Sequence, residues 1–187
     1  MKKIILAIAA TASLSAGSAF AEGYIGGAVG QSHFNADCSG TTSCKNNDTG
    51  YKLFGGYKFS PNLGAELTYF DYGKATASLQ SGGTLITGQL RGTGLGLGVA
   101  FMGDFAPQWS GVARLGIASN RAKVTATAGT LTGSDSETKA AAYAGLGVGY
   151  AISKELKVDA ALDFSKLKFS GETFNVRLLS VGVTYAF

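Results

Sequence analysis

Beyond its first ten residues, the chain has no apolar run near the roughly 20 residues that a helix needs to cross a bilayer. Any membrane crossing must therefore be made by strands. Proline is almost missing, at 2 residues in 187, so long ladders can run without the one residue that cannot donate to them. A single histidine, His33, leaves little for hydrolytic chemistry, since a serine nucleophile needs a base within reach. Its neighbour Ser32 points to the opposite face of any strand that holds them both. No enzyme activity is expected, and no cofactor. The two cysteines, Cys38 and Cys44, have no partners for a metal nearby except His33, so no metal site is expected. They lie in a polar segment of a chain bound for an oxidising compartment, and a disulfide between them is the expectation. Closing so short a loop would constrain the unfolded chain by ~2 kcal/mol, enough to shape a loop but not to hold a fold. The basic residues do not gather into a groove, which argues against a nucleic-acid partner.

What the chain has in quantity is glycine, 28 residues of it, set in alternation with bulky apolar side chains. Leu95, Leu97, Val99 and Phe101 alternate with Gly94, Gly96, Gly98 and Ala100. Leu146, Val148, Tyr150 and Ile152 alternate with Gly145, Gly147, Gly149 and Ala151. A soluble sandwich puts its bulk inside, whereas a membrane barrel puts it outside and keeps its lumen small or polar. Segments of this kind fall at about 23–34, 49–59, 63–79, 84–101, 109–126, 137–152, 156–169 and 174–187. The connections Ser60 to Asn62, Met102 to Gln108 and Ser153 to Glu155 are short, while Asn35 to Asp48 and Gly129 to Glu137 are longer and polar. The fold expected is all-β: an eight-stranded antiparallel up-and-down transmembrane β-barrel with short periplasmic turns and long outer loops.

At the amino end, Lys2 and Lys3 precede the apolar stretch Ile4 to Ala10, and Ala19-Phe20-Ala21 offers a small-x-small cleavage site. Residues 1–21 read as a cleaved secretory signal peptide and 22–187 as one barrel domain. An even strand count places both termini on the periplasmic side of a Gram-negative outer membrane. Tyr57, Phe59, Phe101, Trp109, Tyr150, Tyr185 and Phe187 then form a periplasmic aromatic girdle.

The same parity sorts the charges. Lys52, Lys58, Glu66, Arg114, Lys157, Asp159 and Asp163 fall on the lumen side, where an unpaired ion would cost several kcal/mol. Lys52, Glu66, Arg114, Asp159 and Asp163 make the candidate lumen network. Glu66 and Asp159 are the expected partners of Arg114, with Gly96, Gly98, Gly145 and Gly147 leaving room for its guanidinium. The network reads as a structural plug; a gate whose pairs exchange to admit ions is the other reading. Arg91, Arg121, Lys123, Lys166, Lys168 and Arg177 have the lipid-facing parity and sit at the outer ends of strands. With about 2.5 Å of climb per residue, Arg177 lies roughly 25 Å above Phe187, level with the phosphates of an outer leaflet of lipopolysaccharide. Either they bind those phosphates as a belt, or they merely snorkel to the interface.

Gly23 to Gly30, Pro61 to Leu67, Ala113 to Gly116 and the terminal Tyr185-Ala186-Phe187 resemble the transmembrane domain of outer membrane protein A and its small relatives. The resemblance covers essentially all of 22–187. It implies an outer-membrane anchor with inward charges at Glu66 and Arg114, and a last strand in which Tyr185 and Phe187 are read by the barrel-assembly machinery. Gly149 and Asp159 depart from the family's lumen network, and no peptidoglycan-binding domain is expected. The functional expectation is a monomeric structural surface protein in contact with outer-membrane lipid. A loop-mediated adhesin, with host or phage receptors as partners, and a weak gated pore are the alternatives.

Overall fold

The computed structural model describes residues 22–35, 39, 41–81 and 84–187; the expected signal peptide and Cys38 lie outside the described residues. The strands in chain order are β1 (Glu22–Phe34), β2 (Ser43–Lys45), β3 (Asn47–Ser60), β4 (Leu63–Ser81), β5 (Thr84–Ala106), β6 (Trp109–Ala128), β7 (Leu131–Ala151), β8 (Leu156–Phe169) and β9 (Glu172–Ala186). All but β2 form an antiparallel ring in which each strand pairs with the next, and β9 returns to β1 from Tyr24 opposite Ala186 to Phe34 opposite Val176. This is the expected up-and-down barrel of eight strands. Closure removes the unpaired sheet edges that hydrocarbon could not satisfy. The first and last residues of the ring meet at one end, where Gly23 and Phe187 exchange backbone hydrogen bonds.

Large aliphatic side chains face outward along the middle of the strands. Leu97 and Ile117 are 65% and 66% exposed, whereas the inward Ala100 and Ala118 are fully buried. The residues Leu95 to Phe101, Leu115, Ile117, Leu146, Val148 and Leu179 to Tyr185 of that parity form a continuous apolar band, the surface a hydrocarbon layer covers. The girdle side chains sit below it at the end bearing the termini, with Trp109 set edge-on to Tyr150 at 5.2 Å and Tyr185 near Phe187.

The connections differ from expectation in three places. Gly129 to Glu137 is not a loop: β7 begins at Leu131, opposite Ala128, so only two residues turn the chain. Met102 to Gln108 shrinks likewise, because β5 runs on to Ala106. Above the hydrocarbon both faces of a strand are wet, so Ser, Thr and Gly replace alternating bulk while the ladder continues. β5 has 23 residues, and a tilted strand crosses hydrocarbon in roughly 10, so about half of β5 stands clear of the membrane. A ninth strand, β2, lies inside the segment expected to be a loop. It pairs with Thr76 to Ser78 of β4, above the point where β3 leaves that edge.

The ladder between β7 and β8 is also cut short. β7 and β8 are laddered only from Ala144 opposite Phe164 down to Ala151 opposite Lys157, although β7 continues up to Leu131 and β8 up to Phe169. Above Ala144 the two strands part, and Glu137 Oε2 reaches back to accept the Ser170 amide at 2.8 Å.

Candidate functional site

The lumen has two storeys. In the lower one, nearer the termini, Arg114 Nε donates to both oxygens of Glu66 at 2.8 and 3.0 Å. Glu66 also accepts from the Tyr24 and Thr68 hydroxyls. Lys52 Nζ meets Asp163 Oδ2 at 2.6 Å, with the two side chains 0% and 1% exposed. Phe54 stands between the pairs, its ring centroid 5.0 Å from the Arg114 guanidinium carbon and 5.4 Å from Lys52 Nζ. The negative ring face thus serves both cations where water cannot. β3 supplies Lys52 and Phe54, β4 Glu66 and Thr68, β6 Arg114 and β8 Asp163, so the cluster ties opposite walls of the barrel together.

Of the five residues expected in the network, Lys52, Glu66, Arg114 and Asp163 meet in two buried pairs, and Asp159 stands apart from them. Asp159 does not pair with Arg114; it accepts the Thr184 hydroxyl at 2.8 Å. It lines a vestibule of about 190 Å³ below the pairs, together with Lys58 and Lys157. Lys58 is bound there by Glu22 at 2.7 Å. Nor do the glycines of β5 make room for Arg114. A Cβ on Gly96, Gly98 or Gly116 would strike the Tyr143 side chain, while one on Gly145 would strike Asp163. The crowding that demands small residues comes from an aromatic ring that β7 points into the lumen.

That ring belongs to an upper storey absent from the sequence reading. Phe34, Phe70, Tyr72, Ala118, Ala122, Tyr143, Leu167, Val176 and Leu178 form a buried apolar cluster above the ion pairs. Phe70 stacks on Tyr72 at 5.3 Å and meets Tyr143 edge-on at 5.5 Å. A Cβ on Gly92 of β5 would meet the Leu167 side chain of β8 at 2.5 Å, so the walls close on one another. The signal was available on β9, where Val176 and Leu178 share the inward parity of the small Ser180 and Gly182.

On the outer face all six basic rim residues are exposed, as their parity requires. They are not equally free. Arg91 is held by Asp71 at 2.7 Å, and Arg121 donates to the Ser136 hydroxyl at 3.0 Å. Among the described residues no carboxylate lies within ion-pair distance of Lys123, Lys166, Lys168 or Arg177. Arg91 and Lys123 face each other across β5 and β6, whereas Lys166, Lys168 and Arg177 share the β8–β9 hairpin. Ser32 and His33 diverge as expected: Ser32 is buried and donates to the Tyr72 carbonyl, and His33 Nδ1 meets Asn47 Oδ1 at 2.6 Å. The expected Cys38–Cys44 pairing depends on a residue outside those described. The described residues contain no cluster of metal ligands.

A sequence profile described as the outer membrane protein beta-barrel domain matches residues 4–187. No curated protein sequence matches. Among solved structures, Ail, the attachment invasion locus protein of Yersinia pestis, superposes with a TM-score of 0.61 at 18% identity, over 90% of this chain and 99% of that one. Neisserial surface protein A gives 0.56 at 14% identity, over 88% and 97%. The N-terminal β-barrel domain of Pseudomonas aeruginosa OprF gives 0.55 at 15%, over 88% and 97%. At such identities the likeness is one of fold, and the profile supplies the family. With its closed ring, its outward apolar band and a profile match over nearly its whole length, the chain belongs to the outer membrane protein beta-barrel domain family and is an integral outer-membrane protein.

Proposed function

We propose that this protein is a closed, monomeric surface barrel of a Gram-negative outer membrane. In this reading its termini face the periplasm and its basic rim faces the phosphates of outer-leaflet lipopolysaccharide. The role is mainly structural: the barrel anchors a projecting sheet and does not conduct. The observation that carries this is the double seal of the lumen, two buried ion pairs below and an aromatic plug above. A gate of exchanging salt bridges would have to open both storeys together. The opposed directions of Ser32 and His33 support a non-catalytic role, which His33-dependent lipase turnover would overturn. During insertion the strand ending in Tyr185 and Phe187 is the part offered to the assembly machinery.

Planar-bilayer recording tests the seal. Wild type and Arg114→Ala should both be silent, because removing the guanidinium leaves the upper cluster in place. Discrete current steps in wild type would refute the closed-barrel reading. Steps that arise only in Arg114→Ala would show that the ion pairs, not the rings, keep the lumen shut.

A further inference from the structure

Where β7 and β8 part, the outer wall carries a groove of about 500 Å³. One wall is apolar, made by Leu115 of β6, Ala142 and Ala144 of β7 and Phe164 of β8. Its other wall is basic, made by Lys166 of β8, the next outward residue above Phe164, and Arg177 of β9, which pairs with Phe164 across the ladder. Three features make this more than a gap in a ladder. The outward residues of β7 shrink to alanine at 140, 142 and 144, although the same strand carries Leu146 and Val148 just below, so a hollow of chain width opens beside the seam. The seam begins at Phe164, the last bulky apolar residue of the outward row on β8, and so lies where hydrocarbon gives way to headgroups. Lys166 and Arg177 are exposed, and no described carboxylate neutralises them.

The backbone agrees with this placement. Parted strands in hydrocarbon would leave amides and carbonyls without partners, which lipid does not tolerate. Here the Lys166 carbonyl is taken from the lumen side by Asn120 Nδ2 at 2.7 Å, and the top of the seam is tied by Glu137 to Ser170. The outer mouth of the seam is thus oily on the β6–β7 side and cationic on the β8–β9 side.

We infer that this seam holds one phosphate-bearing acyl lipid of the outer leaflet, with a chain lying over Ala142 and Ala144 against Phe164 and the phosphate on Lys166 and Arg177. Charge complementarity selects the headgroup, and the alanine hollow selects a chain. The inference deepens the proposed lipopolysaccharide-facing rim and rests on its outer-leaflet placement. A general belt would enrich such lipids loosely around the barrel, whereas the seam retains one molecule.

Native mass spectrometry of the full-length barrel in detergent reads the retained lipid, with hexa-acylated lipid A, its fully deacylated sugar bisphosphate and phosphatidylcholine as probes. Wild type should keep one lipid A and neither of the others. Each interfacial cation contributes on the order of a fivefold preference, so Lys166→Ala/Arg177→Ala should lower retention by roughly tenfold or more. Ala142→Phe, which fills the hollow and leaves every charge in place, should abolish it. Arg121→Ala/Lys123→Ala should leave the retained molecule untouched, yet lower lipid A enrichment around the barrel in mixed vesicles. Retention unchanged in Ala142→Phe, or equal binding of the deacylated bisphosphate, overturns the seam site. Enrichment unchanged in Arg121→Ala/Lys123→Ala overturns the belt, so the two failures are told apart. Should Ala142→Phe lose its heat-modifiable gel mobility and so prove misfolded, the acylated and deacylated probes on wild type decide the matter alone.

Discussion

Phe54 lies between Arg114 and Lys52, so neither ion pair of the lower lumen stands alone. Burying two charges costs several kcal/mol each, and only a well-made pair recovers it; removing one partner strands the other. Lys52→Met leaves Asp163 without its cation at 1% exposure and should destabilise the barrel by about 3–5 kcal/mol. Lys52→Met/Asp163→Leu should recover most of that loss, because an apolar pair of similar volume removes the orphaned charge. Urea unfolding in vesicles, followed through the single tryptophan, Trp109, closes the cycle. Equal losses in the single and double variants would mean that the pair contributes through packing and not through charge. Sequence parity named the four charged members of this cluster, Lys52, Glu66, Arg114 and Asp163, but not Phe54, Thr68 or Tyr24, whose side chains carry no charge to single them out. It misassigned the partner of Asp159, because depth along a tilted strand locates a residue in height but not in angle around the barrel.

Strands behave differently inside and above the band. Within it the lipid imposes alternating bulk, so β5 and β7 were legible from glycine and leucine alone. Above it that pressure ends, and Leu131 to Thr138 reads as loop although it is laddered residue by residue to β6. The same boundary hid β2, whose three residues carry no apolar pattern. Turn geometry holds these projecting ladders in register. In the β8–β9 hairpin both Ser170 (φ 51°) and Gly171 (φ 84°) take left-handed conformations, the two-residue turn whose twist matches its strands. Gly171→Val should therefore lower stability by about 1–2 kcal/mol, seen as a lower temperature for conversion of the compact to the extended gel band. Gly133→Ala, in open space and without a positive φ, should leave that temperature unchanged. If both variants behave alike, the hairpin turn does not set the stability of the outer storey.

For the whole molecule, orientation is the property on which rim, seam and sheet all depend. The β6–β7 turn at Thr130 and the β7–β8 turn at Lys154 lie at opposite ends of the barrel, and both residues are exposed. With Cys38 and Cys44 replaced by serine, Thr130→Cys should react with a membrane-impermeant maleimide on intact cells. Lys154→Cys should react only after lysis. The reverse pattern would put the basic rim at the inner leaflet and remove the basis for lipopolysaccharide contact.

The closing ladder between β1 and β9 also governs timing. It joins Tyr24 in the first strand to Ala186 in the last, so no intermediate lacking the last strand is a closed barrel. A sheet of seven strands would present two open edges to hydrocarbon, each a row of unsatisfied backbone groups. Stable residence in hydrocarbon therefore waits on the pairing of β9 with β1. Until β9 is in place, the earlier strands have no closed sheet with which to rest in hydrocarbon.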